Sequence, residues 1–202
     1  MEWKLISVSQ ETKHPFLNYF TLTYQVKEND SSIKDYSYYM CSRRKINDLV
    51  SIKKDYSRTD GVLIPLYFVN PKTGLLSTII TTQFRPALNN YVYSIPAGLV
   101  DDNEDLLVSA KREALEEVGA NISNLEILAK SSPTSSGLSD ELNSIVLAKI
   151  DSFSNNNLEE FEDINYQIVA FKDLEEFLKD KFVALQVQII FKYLLLRFKD
   201  QY

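Results

Sequence analysis

One stretch of the sequence constrains the rest: Gly98, then Glu104, then Arg112-Glu113-Ala114-Leu115-Glu116-Glu117-Val118-Gly119. Apolar residues at Leu106, Leu107, Ala110, Ala114, Leu115 and Val118 recur at helical spacing, and Gly119 supplies a C-terminal stop. The spacing predicts a helix from Leu106 to Val118. On it Glu113, Glu116 and Glu117 stand at i, i+3 and i+4, so three carboxylates share one face. Like charges placed there repel one another and weaken an isolated helix. A hard divalent cation relieves that repulsion, and all-oxygen ligands suit magnesium or manganese. Arg112 reaches Glu116 at i+4 and also folds back toward Glu104; either contact fixes a carboxylate's orientation. Gly98 permits close backbone approach, and the carbonyl of Ala97 offers one more hard oxygen. The plainer alternative is a solvated acidic helix face with i,i+4 pairing.

Composition narrows the chemistry further. The 202 residues include one His, His14, and one Cys, Cys41, so neither a Cys/His zinc cluster nor an intrachain disulfide can form. His14 lies in the polar, Pro-flanked stretch Glu11 to Pro15, which reads as a solvated surface turn. The length fits one generous domain with a small extension, and 45% hydrophobic with 25% charged residues argues against a disordered chain. The 28 acidic against 22 basic residues leave a formal charge of −6. That balance argues against nucleic acid as a partner, yet a local positive site or a bound cation still admits a small anionic substrate. The start, Met1 to Gln10, has no apolar run of signal-peptide length, and no stretch nears the ~18 apolar residues of a membrane span. A cytoplasmic protein with no membrane partner is therefore expected.

Around the acidic helix the chain reads mostly as strands. Phe20 to Val26 and Asp35 to Met40 alternate with period two across the turn Lys27 to Ser32, which predicts a hairpin. Gly61 to Val69 is a continuous apolar run suited to a buried strand, with Pro65 marking an edge or bulge. Leu75 to Gln83 reads as its partner across the turn Asn70 to Gly74. Shorter strands are expected at Tyr91 to Ile95, Leu125 to Ala129, Ile145 to Ile150 and Tyr166 to Phe171. Ser131 to Ser139 reads as a loop, and so does the acidic segment Asp151 to Asp163. Helices are expected at Leu174 to Leu178 and Ala184 to Phe198, the latter apolar on most sides and so buried or paired. Mixed strands with few helices give an α+β class.

The residues Gly98, Glu104, Arg112, Glu113, Glu116, Glu117 and Gly119 match G-x5-E-x7-R-E-U-x-E-E-x-G-U, the box of the Nudix hydrolases, at every fixed letter. At ~6% abundance per letter, an accidental match in a chain this long is on the order of one in a million. The chain thus resembles that family from roughly Asp60 to Phe171. The resemblance implies the Nudix fold, a mixed β-sheet sandwiched between α-helices. It implies Glu113, Glu116 and Glu117 as metal ligands with the Ala97 carbonyl, and Gly98, Glu104 and Gly119 as structural residues of the box. Ala114 and Ala120 stand where the family prefers bulky aliphatics. Asn103 replaces a frequent Gly, and Asn tolerates a left-handed turn.

Flanking residues resemble the ADP-ribose pyrophosphatase group. These are Gln83-Phe-Arg-Pro86, Ile95-Pro-Ala-Gly98, Ser131-Ser-Pro133 and Gly137-Leu-Ser-Asp-Glu141. The likeness implies hydrolysis of a nucleoside diphosphate sugar, most simply ADP-ribose to AMP and ribose 5-phosphate. Glu141 becomes the candidate general base or additional metal ligand, with Asp140 as its neighbouring substitute, and Glu116 and Arg112 complete the catalytic set. Arg85, Arg43, Arg44 and Leu99 are the candidate substrate-binding residues, since an arginine fork suits phosphate. The likeness further implies a homodimer, with residues 1–55 as an antiparallel β extension used for dimerisation and residues 56–202 as the Nudix domain. Another nucleotide sugar, a dinucleotide, or ligand sensing without turnover are the alternatives.

Overall fold

The computed structural model describes residues 1–158 and 163–202. It divides into two compact units, Met1–Asp60 with Ser131–Asn143, and Gly61–Lys130 with Ser144–Tyr202. Among the described residues no helix is long and apolar enough to cross a membrane.

The first unit is built on a three-stranded antiparallel sheet of β1 (Glu2–Gln10), β2 (Asn18–Lys27) and β3 (Ile33–Ser42), in that order. The expected hairpin is β2 and β3, registered so that Phe20 faces Met40 and Leu22 faces Tyr38. Phe20, Leu22 and Met40 therefore point to one side, where they are buried with Leu49, just before the short helix α1 (Val50–Lys53). His14 is exposed, its Nδ1 accepting the amide of Phe16.

The second unit carries most of a larger mixed sheet. Its strands are β4 (Gly61–Leu63), β5 (Leu66–Val69), β6 (Leu76–Arg85), β7 (Asn90–Ser94), β8 (Ala97–Leu99), β9 (Ala120–Pro133), β10 (Leu142–Phe153) and β11 (Ile164–Ala170). They run in the order β11-β6-β5-β10-β4-β8, with β7 on β6 and β9 on β10. The helices are α2 (Leu106–Val118), α3 (Leu174–Leu178) and α4 (Leu185–Arg197).

Strand alternation sends neighbouring side chains to opposite sheet faces, and each face has its own core. Ile79, Val146, Ala148 and Ile150 pack with Ala110, Ala114 and Val118 of α2. Ile80 and Leu147 pack with Leu174 of α3 and Val187, Ile190, Phe191 and Leu194 of α4. The sheet thus lies between helices, the α+β arrangement expected. Ala114 and Ala120 are fully buried, so the two small residues are close-packed.

Three expected boundaries shift, each for a physical reason. The apolar run Gly61 to Val69 is two strands, because Pro65 has no N–H to give a ladder. Its carbonyl accepts from Ala148, while the Ile64 amide donates to Pro96. Both strands lie beside β10, but the break changes the other partner: β4 pairs with β8, Val62 opposite Gly98, whereas β5 pairs with β6. The strand expected at Leu125 to Ala129 extends to Pro133 as β9, so the loop read from Ser131 begins later. Ser131 takes a left-handed φ of 47° there, and its hydroxyl bonds to the Ser57 carbonyl and the Thr59 hydroxyl. The acidic loop read from Asp151 starts as the end of β10, where Phe153 meets Phe68 edge-on. Residues 159–162 of that loop lie outside the described residues.

Candidate active site

Local chemistry at both ends of α2 positions the carboxylates. Asp105 caps the start, its side chain accepting the amides of Leu107 and Val108. Asn103 before it has φ 67°, the left-handed geometry the sequence allowed. Gly119 ends the helix at φ 65°, and a Cβ there would lie 2.1 Å from the Ser154 carbonyl oxygen. Both the backbone conformation and the close approach demand glycine.

Arg112 organises what lies between. Its Nε donates to Glu104 Oε1 at 3.1 Å and its Nη2 to Glu104 Oε2 at 2.9 Å, a bidentate fork. Nη2 also donates to the Leu99 carbonyl at 3.0 Å. Nη1 donates to Glu113 at 2.6 Å and Glu116 at 3.1 Å. These contacts use all five guanidinium N–H groups. Arg112, expected among the catalytic groups, is therefore a positioning residue, and the two contacts read as alternatives occur together.

Glu104 is held at a pKa of about 2, first by the Arg112 fork and then by the Ser109 hydroxyl, which donates at 2.6 Å. The same contacts push the Arg112 pKa upward, Glu104 first. Ser109 is fully buried. No fixed letter of the box marks it, and its only signal in the sequence is a hydroxyl on the apolar stripe of the helix.

Glu113 and Glu117 are buried at 8% and 5% exposure, while the Glu116 side chain is partly open. Glu117 accepts the Ala97 amide at 3.1 Å, which ties the helix to β8. A Cβ on Gly98 would fall 1.9 Å from the Glu113 carboxyl carbon, so the missing side chain makes room for that carboxylate. Gly98, Glu104 and Gly119 thus each have a defined structural part, and Ala97 lies beside Glu117.

Glu104, Glu113 and Glu116 set three carboxylates on one guanidinium, and Glu117 adds a fourth one helical turn beyond Glu113. Two of the four are buried, where uncompensated charge is costly. This oxygen donor set, with its surplus of negative charge, suits a hard divalent cation. Among the described residues no three acids already form a metal cage. Arg112 Nη1 bonds to both Glu113 and Glu116 instead.

Leu99 is exposed on β8, and Arg85 is exposed at the end of β6. In the first unit, Arg43 Nη1 donates to Glu141 Oε1 at 2.8 Å, and the Thr134 hydroxyl donates to Glu141 Oε2 at 2.8 Å. The Arg43 guanidinium also lies over the Phe16 ring. Arg44 departs from expectation. Its side chain is 6% exposed, with Nη2 donating to Asp60 at 2.6 Å and Nε 3.8 Å from Asp140. A guanidinium so enclosed holds chain segments together and offers nothing to a substrate. Asp140 is likewise enclosed, its side chain 10% exposed and accepting the Val50 amide at 3.0 Å.

Comparison with known proteins bears on the second unit most directly. The family model of the NUDIX domain matches residues 61–191. A methanol dehydrogenase activator from Bacillus methanolicus is 28% identical over 131 residues, 64% of this chain and 68% of that protein. The crystal structure of an ADP compounds hydrolase superposes with a TM-score of 0.69 at 16% identity, covering 100% of this chain and 96% of that one. At that identity the likeness shows the shared fold.

Proposed function

Since the chain belongs to the Nudix family, we propose that it hydrolyses the pyrophosphate bond of a nucleoside diphosphate sugar, with ADP-ribose giving AMP and ribose 5-phosphate. The observation that carries this reading is the box itself, with Glu104, Glu113 and Glu116 bonded to the fully engaged guanidinium of Arg112 and Glu117 one helical turn beyond Glu113. Glu113, Glu116 and Glu117, with the Ala97 carbonyl, are the proposed ligands of magnesium or manganese. Such an ion, when bound, neutralises diphosphate charge and lowers the pKa of a bound water. Glu104 and Arg112 hold the ligand carboxylates in place, and Gly98 leaves Glu113 its space. Arg85 and Arg43 are the proposed phosphate donors, and exposed Leu99 the apolar contact to substrate. Glu141 is the proposed base, accepting a proton as water oxygen bonds to phosphorus and the bridging P–O bond breaks.

The N-terminal sheet supports a homodimer as a further part of this reading. Trp3 meets Tyr24 and Tyr36 edge-on at 5.8 and 5.5 Å, and Trp3 and Tyr36 remain half-exposed. Aromatic surface of this kind suits burial against a second copy. Light scattering would then give twice the chain mass of 23.3 kDa. The likeness to a dehydrogenase activator favours a second reading, in which the chain regulates a partner dehydrogenase.

A substrate panel tests the proposal: ADP-ribose, other ADP-sugars, GDP- and UDP-sugars, NADH and diadenosine polyphosphates, with magnesium, manganese or EDTA. ADP-ribose as the best substrate, with AMP released and EDTA abolishing turnover, supports it. A different best substrate overturns the ADP-ribose assignment. Binding without turnover of any compound overturns the enzyme.

A further inference from the structure

A cavity of about 350 Å³ opens between α3 and α4, on the sheet face opposite α2. Its floor is apolar: Leu174, Val183 and Phe191 are buried there, and Leu178 and Leu195 are partly open walls. Its rim is cationic, with Lys179, Lys181 and Lys192 against one acid, Glu175. Lys192 pairs with Glu175 and Lys179 lies 3.6 Å from Glu176. The Lys181 ammonium instead lies over the rings of Tyr93 and Phe177, 5.5 and 5.6 Å from their centroids. Aromatic faces hold an ammonium in place while leaving its charge available to an anion.

The linker that carries Lys181 is itself fixed. The Tyr93 amide donates to the Phe182 carbonyl at 2.9 Å, and the Ala184 amide donates to the Tyr93 carbonyl at 3.1 Å. Gln188 closes the same turn by donating to the Val183 carbonyl. The cavity therefore has a rigid back, an apolar floor and a positive mouth, and its volume falls in the range of small-molecule sites.

We propose that this cavity binds an organic anion with an unbranched apolar body, a short- to medium-chain carboxylate, its carboxylate beside Lys181 and its chain over Phe191. The inference is independent of the pyrophosphatase reading, because none of these residues belongs to the box. Isothermal titration calorimetry with butanoate, hexanoate and octanoate, and with octanol as an uncharged control, tests it. From hexanoate to octanoate, affinity should rise about fifteenfold, at about fourfold per buried methylene. Octanol should bind several-fold more weakly than octanoate, and Lys181→Gln should weaken octanoate about threefold, the range of an exposed ion pair. Leu195→Trp, which fills a partly open wall, should abolish binding while leaving thermal unfolding unchanged. No measurable binding of octanoate, octanol binding as tightly as octanoate, or undiminished binding in Leu195→Trp would overturn the proposal.

Discussion

Arginine sits among carboxylates in two places in this chain, and the two clusters do different work. Around Arg112 the partners come from one short stretch, Leu99 to Glu116, and the carboxylates outnumber the cation. Around Arg44 the partners are Asp60 and Asp140, distant in sequence, and the guanidinium is almost fully enclosed. The Arg112 side chain keeps 30% exposure against 6% for Arg44. The first cluster is left with surplus negative charge, and the missing side chain of Gly98 makes room for its Glu113 carboxylate. The second ties Asp60, whose Oδ2 also accepts the Leu142 amide at 2.8 Å, to the chain before α1. It is a structural knot.

Breaking the knot should have the largest effect. Arg44→Met removes the close cation from Asp60 and Asp140, leaving only Arg58 Nε, 4.0 Å from Asp60, and losing one partner of a buried pair costs about 3 kcal/mol or more. Urea unfolding should show that loss. An unchanged midpoint would mean that the two clusters do not differ in kind.

Gly98→Ala probes the other cluster by shape alone. The new methyl group would displace the Glu113 carboxylate, the flexible end of a side chain, so stability should change little. Misplacement of a ligand by about 1 Å should slow turnover ten- to a hundredfold. Full activity in this variant would show that Glu113 needs no fixed position.

Glu104→Gln separates the clusters by pH. The Glu104 carboxyl is held at a pKa of about 2, well below the 4.5 usual for a glutamate. A carboxyl depressed on folding adds stability that is fully present above the unfolded pKa and is lost as pH falls toward the folded one. Wild type should therefore lose stability relative to Glu104→Gln between about pH 4.5 and 2, with the full difference present at pH 7. Parallel stability curves for the two proteins across that window would contradict the Arg112–Glu104 fork.

The smallest effect belongs to Arg43. Its pair with Glu141 is open to solvent on both sides, and pairs of that kind contribute under about 1 kcal/mol. Arg43→Gln should shift unfolding by no more than that. A loss comparable to Arg44→Met would make Arg43 part of the knot.

The same contrast explains what the sequence could reveal. Helix α2 spans the residues predicted for it because its stripe and its glycine stop are local signals. The reach of Arg112 to Glu116 was legible for the same reason, being i,i+4 on one helix, whereas Glu104 lies before α2 and was marked by the box spacing. Burial of Arg44 was not legible, because Asp60 and Asp140 join it only through tertiary structure. Ser109 was missed because a hydroxyl on a helix stripe does not announce the carboxylate it serves. The outer face of α4 shows the limit of periodicity: its apolar residues divide between buried Val187, Ile190, Phe191 and Leu194 and exposed Leu185, Ile189 and Leu196. Hydrophobicity alone does not distinguish the two sets.

The most direct test of the central claim is AMP release from ADP-ribose with magnesium, wild type beside Glu117→Gln, both first shown folded by thermal unfolding. Wild type should turn over, and the variant should be slowed at least a hundredfold, since it loses a charged oxygen proposed to hold the cation. Equal rates in the two proteins would contradict the assignment of the box carboxylates to the chemistry.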